Sequence, residues 1–236
     1  AYPVAYRYKY SNLGYDLLGR VIEQTRNESF FKHMKLNVLN DMGMQNSAFY
    51  SGGVADSLHK AMGYEYHKRK YYPYFQYDIN NFPSGNLYAT IEDLSAFLRT
   101  VFRNGVFGKE ETLSRMLVDC YSNPRDPETM GLGWKLARMG NNEPLIWHEG
   151  GPTEGIGSLI AFLPERKMGI AVIGNGTSFS GYYSLQFAME ILSRMVEEES
   201  GIEHPRSEKS EKPVEVQTQL SGELEGTYAA YGSMME

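Results

Sequence analysis

The sequence predicts an α+β fold: an antiparallel sheet over residues 131–175, a helix over 182–196 packed across it, and a mostly helical lobe over 10–121. Three patterns carry the prediction. Residues 158–163 and 168–174 are short apolar runs joined by Pro164-Glu165-Arg166-Lys167, the signature of a hairpin buried on at least one face. Leu185, Ala188, Met189, Leu192 and Val196 then recur at helical spacing, a face suited to covering a sheet. Earlier in the chain the apolar positions also follow the helical period, first at Leu13, Leu17, Leu18, Val21 and Ile22, then at Leu94, Phe97, Leu98, Val101 and Phe102.

In chain order, residues 1–12 read as extended, with Tyr2, Tyr6, Tyr8 and Tyr10 spaced by even steps. The phase changes at Asn12, and a helix runs from Leu13 to about Arg26-Asn27, with Ser11 or Asn12 as its N-cap. A second, shorter helix spans about 29–38 and closes in the turn Asp41-Met42-Gly43-Met44. Residues 63–77 hold six tyrosines and read as a hairpin with His67-Lys68-Arg69-Lys70 at its tip, either a half-exposed ribbon or an aromatic rim around a substrate. Pro83-Ser84-Gly85-Asn86 is turn chemistry. Thr90 then caps a helix whose first turn carries Glu92 and Asp93, favourable at the positive end of its dipole, and Asn104-Gly105 stops it. A further helix is expected over 112–121 and a strand over 131–136, with Gly140-Asn141-Asn142 turning into Ile146-Trp147. That strand breaks at His148-Glu149-Gly150-Gly151, the one place where a titratable ring and two adjacent glycines stand on the lip of the sheet.

Composition excludes several classes of function. A net charge of −6 and the lack of any basic face argue against nucleic-acid binding. No run approaches the ~20 apolar residues that span a bilayer, so the sequence holds no sign of a membrane span. The single cysteine, Cys120, rules out an internal disulfide framework. The five histidines lack ligand-like spacing, so neither a metal nor a cofactor is expected. Composition divides the chain into a domain over 1–196, a Glu/Lys/Ser/Pro-dominated linker over 197–213, and a segment over 214–236 that is a docked tail or the start of a further domain. The oligomeric state is not encoded in any pattern.

Three stretches, in this order, resemble the serine β-lactamase and penicillin-binding-protein-like superfamily, on the side of class C β-lactamases, esterases and D-peptidases. Tyr8-Lys9-Tyr10-Ser11-Asn12-Leu13-Gly14-Tyr15 is similar to its Tyr-x-Asn element. Residues 83–98 look like its Gly-rich turn and following helix. Trp147-His148-Glu149-Gly150-Gly151, with the hairpin that ends at Asn175, looks like the strand bearing Lys-Thr-Gly or His-x-Gly. The resemblance covers residues 1–196 and implies a β-lactamase/transpeptidase-like fold. It also implies acyl-enzyme chemistry on a small-molecule or peptide substrate, and work outside the cytoplasm, in the periplasm or beyond the cell.

The residue types suit that chemistry, which needs a base at a hydroxyl, donors for an oxyanion and groups that hold the acyl part. By resemblance Tyr10 transfers protons, which a phenol of ordinary pKa ~10 does near neutrality only beside positive charge. Asn12 holds a substrate amide or carbonyl, a role that competes with capping the helix. His148 donates to Tyr10 or to a substrate carboxylate; its presence in place of lysine favours ester, amide or D-peptide substrates. Gly151 offers a backbone N–H to the oxyanion and Gly150 permits close approach, while strand alternation turns Glu149 away. The family's Ser-x-x-Lys lies upstream of Tyr-x-Asn, yet only nine residues precede Tyr10 here. Ser29-Phe30-Phe31-Lys32 and Ser57-Leu58-His59-Lys60 match by letter but lie downstream. The expectation is therefore an N-terminally truncated domain without its nucleophile, inactive alone, with an open sheet edge and exposed apolar surface. The alternative is a catalytically inactive binding module.

Overall fold

The computed structural model describes residues 3–6, 8–49, 60–74, 82–104, 110–121, 129–151, 155–176, 182–201, 228–230 and 233–235. Ser57, Leu58, His59, Tyr77, Asn81, Gly105 and most of the expected linker lie outside them. The chain divides into two compact units, residues 1–203 and 204–236. In the second, β7 (Tyr228–Ala230) and β8 (Ser233–Met235) form a short antiparallel pair.

The first unit opens with α1 (Asn12–Arg26). Ser11 Oγ accepts from the Gly14 N–H at 3.1 Å, so Ser11 is the cap and Asn12 is the first helical residue. Asn27 ends the helix in the left-handed region, φ 52°. α2 (Phe30–Met34) is capped by Ser29, which accepts from Lys32 N–H at 3.4 Å, and runs into a wider π-helical turn, Lys35–Leu39. The tyrosine-rich hairpin is β1 (Tyr64–His67) and β2 (Lys70–Pro73), closed by Lys68 and Arg69 at φ 47° and 61°. Two positive φ values in a two-residue loop match the right-handed twist of the strands it joins. Its residues lie mainly exposed, as a ribbon does.

Where sequence predicts a turn at residues 83–86, the structure has a single helical turn, α3 (Phe82–Gly85). Pro83 fits at the start of a helix, where its missing N–H costs nothing, and its ring packs on Gly19 so closely that a Cβ there would meet Pro83 Cγ at 2.4 Å. α4 (Ile91–Asn104) follows. Thr90 Oγ1 accepts from the Asp93 N–H at 3.2 Å. The buried Asp93 carboxylate accepts in turn from Asn46 N–H at 2.8 Å and the Ser47 hydroxyl at 2.6 Å. A first-turn acid thus both favours the helix dipole and ties α4 to the loop after α2.

Two predicted elements shift. α5 is Glu110–Met116 rather than 112–121. Beyond it the Leu132 N–H bonds Met116 O and the Cys120 N–H bonds Met130 O, so 117–121 pairs with a neighbouring segment instead of coiling. β3 is Lys135–Arg138 rather than 131–136. Gly131 N–H donates to Trp134 O at 2.8 Å and Gly133 sits at φ 82°, which closes a turn ahead of the strand.

β3, β4 (Pro144–Gly150), β5 (Gly157–Leu163) and β6 (Met168–Gly174) form an antiparallel sheet in chain order. α6 (Tyr182–Ser200) keeps its apolar face to Val196 and continues one turn further, ending at Gly201 with φ 67°. The period-two pleat sorts side chains to two cores. Ile146 and Phe162 join Trp134, Leu98, Val101 and the Leu39–Met44 region on one face. Leu145, Leu159, Ala161 and Leu163 meet Ala188, Leu192 and Val196 of α6 on the other. Arg166, in the β5–β6 turn, bonds Glu143 beside β4 and Glu199 of α6, so the turn also anchors the helix. The order of layers is helical lobe, sheet, α6.

Candidate active site

The pairing of β3 with β4 ends at Lys135↔Trp147, whereas that of β4 with β5 runs on to Gly150↔Ser158. Residues 148–150 therefore project past the end of β3, held by β5 along one edge only among the described strands. This lip carries the expected site residues His148 and Gly150 and leads into Gly151.

His148 lies on the face shared with Ile146, Gly150 and the cross-strand Ser158 and Ile160, which is the face turned to the helical lobe. Its ring is half-buried, and Nδ1 stands 2.7 Å from the Glu149 carbonyl oxygen. Among the described residues Nε2 has no partner. Glu149 points to the opposite face, as alternation requires. There its Oε1 accepts from Lys135 Nζ at 2.6 Å, and the ammonium sits 4.6 Å from the centre of the Trp147 ring. Its Oε2 is buried with no partner among the described residues.

The two glycines differ in what demands them. A Cβ on Gly150 would meet the Ser158 hydroxyl at 2.5 Å, so the space expected for a ligand is filled from the neighbouring strand. Gly151 has φ 94°, and a Cβ there would meet Ile156 O at 2.2 Å; both conformation and crowding exclude a side chain. Gly151 is exposed, and its N–H makes no hydrogen bond among the described residues.

The other residues expected in the site stand at the start of α1. Tyr10 is exposed and forms no hydrogen bond or ion pair among the described residues. Asn12, relieved of the cap by Ser11, is also exposed. Tyr15 lies beside the turn that leads into β3: its phenol oxygen is 3.3 Å from where a Cβ on Gly133 would stand. Partial burial of a side chain that is still 48% exposed, then the potential negative charge of Tyr121, Tyr10 and Cys120, pushes the Tyr15 phenol above its ordinary value. Tyr8 packs edge-on against Tyr121 with ring centres 5.8 Å apart. Tyr10 and Asn12 stand in the same tyrosine-rich segment as Tyr15, and no hydrogen bond joins Tyr10 to His148. Of the residues found beside the expected ones, Tyr15 lies within the Tyr8–Tyr15 stretch, whereas Ser158 and Tyr121 belong to no motif. Ser158 was open to register counting along the hairpin; nothing local marks Tyr121.

A separate open cavity of about 260 Å³, lined by Asn40, Asp41, Arg99 and Arg103 among others, contains none of these residues. No cluster of three or more His, Cys, Asp or Glu side chains fit for a metal ion occurs among the described residues, and none of their helices is long and apolar enough to cross a membrane.

Comparison with known proteins gives one consistent result. The family model described as Beta-lactamase matches residues 1–188. Protein flp of Staphylococcus aureus is 25% identical over 175 residues, covering 71% of this chain and 33% of that protein. The octameric penicillin-binding protein homologue from Pyrococcus abyssi superposes with TM-score 0.70 at 28% identity, covering 81% of this chain and 43% of that one. A class C beta-lactamase superposes with TM-score 0.62 at 21% identity, over 84% of this chain and 58% of that one, and shows the shared fold. The chain spans about a third of the length of the curated relative.

Proposed function

The chain belongs to the beta-lactamase family of serine hydrolases, and from that premise we propose that it forms the non-nucleophile part of an acyl-enzyme hydrolase acting on an ester, amide or D-amino-acid peptide. The observation that carries the reading is the lip at 148–151. It combines an unpartnered imidazole nitrogen with an exposed Gly151 N–H beyond the end of β3, and the turn into β3 lies beside Tyr15, in the segment bearing Tyr10 and Asn12. In this reading Tyr10 moves the proton between nucleophile and leaving group, and Asn12 holds the acyl amide or carbonyl. His148 contacts the substrate or Tyr10. Gly151 N–H stabilises the oxyanion, where such donors act in a water-poor setting. Gly150 keeps the strand close enough to Ser158 to hold the lip in register.

The nucleophilic Ser-x-x-Lys is proposed to lie outside these 236 residues. Ser29 supports this by being occupied as the cap of α2. The positive charge that a phenolate at Tyr10 requires is assigned to the lysine of that motif, since no ion pair to Tyr10 forms among the described residues.

The test is made on the full-length polypeptide. A fluorophosphonate or penicillin probe acylates it, and Tyr10→Phe slows turnover at least about tenfold, a threshold set below the ~10²–10⁴-fold that general acid–base groups typically contribute. Wild-type turnover in that variant removes Tyr10 from the mechanism. The 236-residue chain alone gives no hydrolysis; robust hydrolysis would place the nucleophile within it. One observation favours a second reading, a binding module without catalysis: Tyr10 is exposed and forms no ion pair among the described residues, although a proton-transfer role would need positive charge beside it. Failure of the full-length protein to acylate, with ligand binding retained, selects that alternative.

A further inference from the structure

We propose that His148 works in the cleft as a hydrogen-bond acceptor through Nε2, so that the ligand atom it meets carries a proton, as in an amine, amide N–H or hydroxyl, and is not a carboxylate oxygen. The inference rests on the lip at 148–151 being the ligand-binding wall.

The geometry leaves little freedom. Nδ1 is 2.7 Å from the Glu149 carbonyl oxygen. A carbonyl oxygen only accepts, so Nδ1 carries the proton. Turning the ring over would put a carbon at that distance, well inside the roughly 3.3–3.6 Å at which C–H groups approach oxygen. In a neutral imidazole, one protonated nitrogen makes the other a lone-pair acceptor. That other nitrogen, Nε2, has no partner among the described residues, on a half-buried ring at the margin of the sheet face that meets the helical lobe. A half-buried acceptor left open by the fold is an invitation to a donor.

The opposite assignment, donation from His148 to a carboxylate, needs an imidazolium with protons on both nitrogens. No carboxylate among the described residues pairs with His148. The adjacent acid, Glu149, is on the other face of β4 and already engaged with Lys135. A lysine at the same position would donate only, so histidine with a fixed tautomer reverses the polarity of the contact and selects neutral or cationic donor groups next to the reacting bond.

The test does not require hydrolysis. Uniformly ¹⁵N-labelled 236-residue chain is examined at about pH 8, above the ordinary titration range of imidazole, by long-range ¹H–¹⁵N correlation. Signals of His148 are assigned by their loss in His148→Gln. The expected spectrum has Nδ1 protonated and Nε2 in the unprotonated range. Benzamide, which presents N–H donors, shifts the Nε2 resonance, and benzoate of the same size shifts it less. A proton on Nε2 overturns the tautomer. A response to benzoate equal to or larger than that to benzamide, or no response to either, overturns the acceptor role. Acylation of the full-length protein tests the hydrolase reading separately, so the two can fail independently.

Discussion

α1 and α4 are helices of 15 and 14 residues that both carry an apolar stripe, and the two stripes meet opposite fates. In α4, Leu98 and Val101 are 6% and 2% exposed, packed with Trp134, Ile146 and Phe162. In α1, Leu13, Leu17 and Val21 are 68%, 58% and 54% exposed. α1 instead turns inward the side bearing Asp16, Gly19 and Glu23. Gly19 is buried against Pro83, Glu23 accepts from the Phe30 N–H at 3.0 Å, and Asp16 Oδ1 is buried without a partner among the described residues. A periodic stripe says which face gains by leaving water. Whether it leaves depends on a second surface, which the sheet provides for α4. A leucine that stays exposed forgoes about 1.5–3 kcal/mol of burial, so the two stripes contribute unequally despite similar sequence.

The largest effect expected from this contrast is between leucines. Leu98→Ala lowers unfolding free energy by about 2–5 kcal/mol, as buried leucine truncations do. Leu17→Ala changes it by no more than about 0.5 kcal/mol, as exposed substitutions do. Urea denaturation of the two variants reads the difference, and equal losses would break the comparison. Next come the helix starts. Asp93→Ala strands the Ser47 hydroxyl and the Asn46 N–H and costs about 1–3 kcal/mol, whereas Ser11→Ala removes one exposed capping bond and costs about 0.5–1 kcal/mol. A larger loss at Ser11 would show that α1 depends on its own cap more than α4 depends on its tertiary anchor.

The smallest effect is alkaline. The Tyr15 phenol is raised, by burial first and then by Tyr121, Tyr10 and Cys120. The unfolded chain therefore loses that proton first. Stability from this group is intact below about pH 10, the ordinary phenol value, and is lost as pH rises through the higher folded value. Tyr15→Phe flattens this limb of the stability–pH curve followed by circular dichroism. An unchanged limb would mean that the fold does not raise the Tyr15 phenol.

Much of the fold is legible along the chain because it follows from local period and turn chemistry. The hairpin of β5 and β6, the cap and stripe of α4 and the end of α1 at Asn27 all follow from patterns within a few residues. Two of the misread elements, 112–121 and 131–136, have backbone partners in another segment: Cys120 bonds Met130, and Leu132 bonds Met116. Two others are local: 82–85 forms a helical turn where a non-helical turn is expected, and the expected extended run over 1–12 turns at Pro3–Tyr6, where the Tyr6 N–H bonds Pro3 O. Of the site, the chemistry-bearing residues could be named from motifs, and the outward turn of Glu149 from alternation. The lip itself could not, since it exists only because β3 stops pairing at Trp147 while β5 continues to Gly150.

By itself the sequence determined the family, the order of elements and the residue types expected in the site, since motifs and periodicity are properties of neighbours in the chain. Tertiary structure alone decided three things. It freed Asn12 by letting Ser11 cap α1, it brought the Tyr15 phenol beside Gly133, and it set the proton of His148 on Nδ1. Each depends on how close a side chain comes to the backbone, which no pattern of residue types specifies.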